Sequence, residues 1–116
     1  MQIQVLKSKI HMATVTSCEH YYEGSIAVCP ELLAKAKLTP GEKVSVLNSN
    51  NANRFETYII EGQSGEIGLR GPAAKLGKVG HKVILLAFGL MSEEEAKKFK
   101  PSLVYVDDQN RIKRNK

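Results

Sequence analysis

Short strand-like runs, each closed by a turn signal, fill this chain and set its fold class before any single residue is weighed. Pro40-Gly41, "SNNAN" (49–53) and "GQSGE" (62–66) are breaks. Gly and Asn tolerate left-handed backbone, and Pro presets a turn. Between the breaks, "KVSVLN" (43–48), "RFETYII" (54–60), "IGLRG" (67–71), "KVILLAFG" (82–89) and "SLVYVD" (102–107) predict strands, because β-branched and aromatic residues suit a pleated sheet. "PAAKLGKVGH" (72–81) reads as a loop with a helical turn. "KVILLAFG" is the most apolar strand and is expected at the centre of the sheet.

"MQIQVLKSKIHMATVT" (1–16) predicts one long strand, or two with a bulge. Lys7, Lys9 and His11 share one face of it, and Leu6, Ile10 and Met12 share the other. "GSIAVC" (24–29) predicts a second, short strand. Only two stretches read as α-helix. "PELLAKAKL" (30–38) opens on Pro and continues with good helix formers. "SEEEAKKF" (92–99) pairs Ser92 with Glu95 in a capping-box pattern, and Pro101 ends it. Many short strands with two or three short helices predict a mainly β, closed or nearly closed barrel.

At 116 residues, a single domain spanning 1–116 is expected. No apolar run approaches the ~20 residues that span a bilayer. The N-terminal stretch has no h-region, so neither a signal peptide nor a membrane partner is expected, and the location is read as cytoplasmic. Cys18 and Cys29 fit free thiols in a reducing compartment. Cys18, His20 and Cys29 match no strong zinc spacing, so no metal is expected.

The net charge of +5 comes from 17 basic and 12 acidic residues. It permits nucleic-acid binding or steering of a small anion. Part of it lies in "RIKRNK" (111–116), read as a solvated, frayed end. Tyr21, Tyr22, Phe55 and Tyr58 are too few for the stacking platforms that nucleic-acid-binding barrels use, so nucleic acid is not the expected partner.

Some polar residues have no obvious solubility role. Lys9 and His11 lie in an apolar-rich strand. Arg54, Glu56, Tyr58 and Ile60 share one face of their strand, and Phe55, Thr57 and Ile59 take the other. One reading is a sheet face turned to water. The other is an anion pocket, where Arg supplies a rigid fork and Lys a point charge. Gly24-Ser25 alone carries little information. The ordered set is more specific: K-x-H at 9–11, Y-x-G-S at 22–25 and R-F-x-T-Y at 54–58.

"LKSKIH", "YYEGSIAV", "NRFETYII", "GPAAKLGKVGHKVILLAF" and "SEEEAKKFKP" follow one another over nearly the whole chain. Together they resemble the pyruvoyl-dependent aspartate 1-decarboxylases. The resemblance implies a double-psi β-barrel and a homotetramer with active sites between subunits. It implies decarboxylation of L-aspartate at the α-carboxylate, giving β-alanine and CO2 for pantothenate and coenzyme A. It also implies autocatalytic cleavage between Gly24 and Ser25, leaving fragments 1–24 and 25–116. Ser25 would become a pyruvoyl cofactor that forms a Schiff base with the substrate amine, with no metal and no PLP. By the same resemblance, Thr57 assists cleavage and Tyr58 donates a proton. Lys9 and Arg54 hold the remaining carboxylate, and Gly71, Ala73 and Ala74 line the substrate site. His11 and Tyr22 match motif positions too.

The chain departs from that family in four places. "RGPAA" (70–74) stands where Asn-Gly-Ala-Ala-Ala is common. Arg70 there either grips a carboxylate or crowds the site, and Pro72 removes a backbone N–H. Met12 stands where Arg is frequent. Ala52 stands where Gly is usual, so its turn is expected to differ, since a Cβ disfavours positive φ. Two rival readings remain at this stage: an uncleaved barrel serving as a binding or partner protein, and a small basic nucleic-acid-binding barrel.

Overall fold

Eight strands and three short helical segments succeed one another along residues 1–113, the part described in this computed structural model. Positions 114–116 of the basic tail lie outside the described residues. The strands are β1 (Gln2–Thr14), β2 (Ser17–Glu19), β3 (Ser25–Val28), β4 (Lys43–Asn48), β5 (Arg54–Glu61), β6 (Ile67–Arg70), β7 (Lys82–Ser92) and β8 (Ser102–Tyr105). The helices are α1 (Pro30–Ala36), a 3-10 helix (Gly71–Leu76) and α2 (Glu93–Lys98). One mixed sheet runs β2-β6-β3-β5-β4-β7-β1-β8.

The sheet curls because β1 and β2 sit far apart in that order, yet only Val15 and Thr16 join them. Thr16 N–H donates to the Ile67 carbonyl at 2.8 Å, and Ile67 N–H donates to Thr16 Oγ1 at 3.0 Å. Buried Asn110 reinforces this seam. Its Oδ1 accepts from Thr14 N–H at 2.7 Å, and its Nδ2 donates to the Thr14 and Gly65 carbonyls, each at 2.9 Å. The result is the mainly β, barrel-like fold expected from the turn pattern.

β1 is the one long strand of the two predicted shapes, and it carries bulge-like irregularities of its own. Its register against β7 slips between Leu6 and Ser8 and again between Ile10 and Ala13. Met12 absorbs the second slip at φ +61°. Ile10 and Ala13 are therefore both fully buried, although they are three apart. Met12 thus leaves the face it was expected to share with Ile10, because an extra residue resets strand alternation.

β7 pairs with β1 on one side and β4 on the other, as its apolar run suggested. Val83, Leu85 and Ala87 reach the core, whereas Phe88 and Leu90 stay exposed. α1 buries Leu32, Leu33 and Ala36 along one face. α2 buries nothing and is held by its capping box, in which Ser92 Oγ accepts from Glu95 N–H at 3.1 Å and Glu95 Oε1 accepts from Ser92 N–H at 3.0 Å. No helix among the described residues is long and apolar enough to cross a membrane.

Candidate active site

Strand β6 ends at Arg70, between two neighbours. Arg70 is the pairing partner of Glu19, the last residue of β2, and of Ser25, the first residue of β3. Residues 20–24 therefore arch over the end of β6, from one of its edges to the other. Gly71 lies directly beneath at φ +66°. A Cβ there would fall 2.5 Å from the Tyr22 carbonyl oxygen and 2.8 Å from Gly24 N, so only glycine fits. A Cβ on Gly24 would touch only Pro72 Cδ, at 3.4 Å. Ser25 is fully buried, and its hydroxyl donates back to the Glu23 carbonyl at 3.2 Å.

A cavity of about 350 Å³ opens beside Gly24, with Thr57, Tyr58, Pro72 and Ala73 among its walls. Simple alternation puts Thr57 and Tyr58 on opposite faces, yet both border this space. The register explains it. β3 first pairs with β5 at Ile26↔Ile59, so residues 54–58 run past the start of β3 with that edge open. No bulge interrupts the β4–β5 ladder there. Ala74 is buried behind Ala73 in the 3-10 helix.

Arg54 is exposed at the start of β5 and, among the described residues, joins no ion pair. It lines a neighbouring cavity of about 350 Å³ with Gln4, Lys43, Glu56 and Phe88. Glu56, which alternation sets on one face with Arg54 and Tyr58 but to which no motif assigned a role, borders both cavities. It accepts the Ser45 hydroxyl at 3.4 Å and pairs with Lys43 at 3.3 Å.

Lys9 and His11 sit elsewhere in this chain. Both are on β1, and β7, β4 and β5 stand between β1 and β3 in the sheet order. His11 packs edge-on to Tyr105, with ring centres 5.6 Å apart. Its Nδ1 is buried and, among the described residues, has no hydrogen-bond partner. Burial, and then the Lys9 charge, hold its pKa below the usual imidazole value. One chain thus gathers Tyr22, Gly24, Ser25, Thr57, Tyr58, Gly71 and Ala73, sets Arg54 next door, and leaves Lys9 and His11 apart.

Arg70 grips carboxylates, but they are the chain's own. Nη1 lies 2.7 Å from Glu19 Oε2 and Nη2 lies 2.9 Å from Glu66 Oε2. The guanidinium carbon stands 4.8 Å from the centre of the Tyr22 ring. Glu19 and Glu66 escaped the sequence reading because no short motif links positions 19, 66 and 70.

The Asn-rich turn also does more than reverse the chain. Asn48, Asn51 and Asn53 all donate to the Leu76 carbonyl, at 3.2, 3.2 and 3.3 Å, and so anchor the 3-10 helix that walls the cavity. Ala52, expected to alter that turn, instead takes the left-handed conformation at φ +64°, and its N–H donates to the Asn48 carbonyl at 2.9 Å. Among the described residues, no three His, Cys, Asp or Glu side chains are grouped to hold a metal ion.

Comparison with known proteins identifies the family. The family model described as aspartate decarboxylase matches residues 1–113. A protein of Chloroherpeton thalassium named aspartate 1-decarboxylase is 49% identical over 116 residues, covering 98% of this chain and 85% of its own. One of Caldicellulosiruptor saccharolyticus with the same name is 52% identical over 97% of this chain and 89% of its own. A third, from Burkholderia thailandensis, is 48% identical over 97% of this chain and 91% of its own. The chain belongs to the aspartate decarboxylase family.

Proposed function

We propose that the chain cuts itself between Gly24 and Ser25 and then decarboxylates L-aspartate at its α-carboxylate, giving β-alanine and CO2. One observation carries this reading. A side-chain-free Gly24 rests on Gly71 at the wall of a cavity shared with Thr57 and Tyr58, and the buried Ser25 hydroxyl turns back toward its own N-terminal side.

In the cleavage, Ser25 Oγ attacks the Gly24 carbonyl carbon. The Gly24–Ser25 C–N bond breaks, the nitrogen takes the hydroxyl proton, and an ester remains. Thr57 is assigned as the donor to the oxyanion. Loss of the Ser25 Cα proton then breaks the Cβ–Oγ bond. Gly24 departs as a carboxylate, and residue 25 becomes dehydroalanine. Water adds, ammonia leaves, and the new N-terminus is a pyruvoyl group.

Residue 25 is fully buried at the first position of β3, which suits a small ketone shielded from bulk water. That group supplies an electrophile for the substrate amine and a sink for the electron pair left when CO2 departs. The chain's own side chains do the rest. Arg54 and Lys9 hold the side-chain carboxylate, Gly71 and Ala73 shape the floor, and Tyr58 hands a proton to the carbon that lost CO2. Because Lys9 lies across the sheet, the site is read as shared between copies in a homotetramer. The exposed Phe88, which lines the same cavity as Arg54, supports a contact there. The reading also places the protein in the cytoplasm, feeding pantothenate and coenzyme A synthesis.

Intact-mass analysis tests it. Fragments 1–24 and 25–116, the larger blocked to N-terminal sequencing, are expected together with β-alanine formed from aspartate. A chain that stays whole after long warm incubation and forms no β-alanine would falsify it.

A further inference from the structure

We propose that Arg70 is a positioning residue for chain cleavage, clamping the arch of residues 20–24 so that Gly24 stays seated on Gly71 beside Ser25. The inference rests on the self-cleavage reading. It starts from a weakness in the arch. Tyr21 is wholly exposed and Tyr22 largely so, and Gly24 has no side chain with which to pack. Among the described residues, the side-chain bond nearest the cut is the local one from Ser25 to Glu23. A floppy arch would rarely hold the Gly24 carbonyl where Ser25 Oγ can reach it, and misplacement of reacting atoms lowers rate steeply.

Arg70 meets that need from below. It is the one residue paired in the sheet with both feet of the arch, Glu19 and Ser25. The pair with Glu66 is the sheltered one, with side chains 14% and 16% exposed, whereas Glu19 is 53% exposed. Glu66 therefore acts as the anchor and Glu19 as the gripped foot. Glu66 is itself held, accepting from the Gln63 N–H at 2.8 Å and from the Ser17 hydroxyl at 3.4 Å. The guanidinium face meanwhile takes the Tyr22 ring at mid-arch. A planar fork can bond two carboxylates at its edge and stack on its face at once, and an ammonium cannot. Arg70 Nε is buried and, among the described residues, has no partner, so the guanidinium's polar contacts are the two Nη bonds to Glu19 and Glu66. Arg70 is absent from the walls of the Gly24 cavity, which separates it from the substrate-holding role assigned to Arg54.

Three measurements test the clamp. The first follows cleavage of fresh precursor by intact mass, with thermal midpoints recorded alongside. Arg70→Ala is expected to slow cleavage at least tenfold, and Arg70→Lys to recover only part of the rate. Glu19→Gln is expected to slow it several-fold without lowering the midpoint. The second compares amide hydrogen exchange of residues 20–24 in uncleavable Ser25→Ala with that in Ser25→Ala/Arg70→Ala, where at least tenfold faster exchange is expected. The third measures KM for aspartate on matured Arg70→Lys. Wild-type cleavage rates in Arg70→Ala, unchanged exchange, or slowing that merely follows the midpoint while Glu19→Gln is silent would each overturn the clamp. So would a tenfold rise in KM with normal cleavage. Should Arg70→Ala not fold, Glu19→Gln and Arg70→Lys decide the matter. A wild-type chain that never cuts overturns both readings, whereas normal wild-type cutting with an indifferent Arg70→Ala overturns this one alone.

Discussion

Gly71 and Gly24 meet backbone to backbone, close enough that a methyl group on Gly71 would lie 2.8 Å from Gly24 N. Gly71→Ala therefore has to move the arch and also hold an alanine at positive φ, which costs about 1–2 kcal/mol by itself. A lower thermal midpoint and at least tenfold slower cleavage are expected. Unchanged values for both would show that the arch does not rest on this glycine.

Ala52 holds φ +64° with a Cβ, where glycine would be relaxed. Ala52→Gly is expected to stabilise the protein by roughly 0.5–1 kcal/mol, the left-handed strain relieved less the entropy of the freer unfolded chain. Urea unfolding measures it, and a destabilised variant would contradict the strain argument.

Asn110 ties Thr14 and Gly65 with three hydrogen bonds while buried. Asn110→Ala strands those groups and is expected to cost about 2–4 kcal/mol. A loss under about 1 kcal/mol in urea unfolding would mean that the seam closes without it.

Arg54 is exposed and unengaged among the described residues, so removing it should leave the fold and the cut intact. For Arg54→Ala, KM for aspartate is expected to rise about ten- to hundredfold, the worth of a charge-assisted hydrogen bond. Wild-type turnover at low aspartate would remove Arg54 from the carboxylate site.

His11 titrates below its ordinary value because burial and Lys9 both oppose its charge. The folded state thus binds a proton less readily than the unfolded chain. The stability tied to neutral His11 is present above the unfolded value of about 6.5 and drains away as pH falls through the lower folded value. NMR titration of the ring should give a midpoint below 6.5. A midpoint at or above that value would refute the assignment, and His11→Gln should flatten this part of the stability profile.

Much of the fold was legible because its turns are spelled in Pro, Gly and Asn. β4 runs over 43–48 as read, and the capping box of α2 forms as its Ser92–Glu95 spacing implied. β2 escaped because three residues carry no period. Met12 left its expected face because a bulge is a register event between strands distant in sequence. Within the site, Thr57 and Tyr58 conflicted only under isolated alternation, and the offset of β3 against β5 removed the conflict. Arg70 stood out as an oddity, but its partners at 19 and 66 are gathered by topology alone.

The seam at Val15 and Thr16 has one more consequence. Strands β1 and β2 both precede the arch, and they are woven into distant places in the sheet, β1 between β7 and β8 and β2 against β6. A cut in the arch would leave these two strands as a separate peptide that still threads the barrel like a hoop. The two pieces would come apart only by unfolding. Assembly must then precede scission, since the short piece alone has no sheet to join. The uncut chain would serve as the template for a two-piece protein that could not readily be rebuilt from its parts.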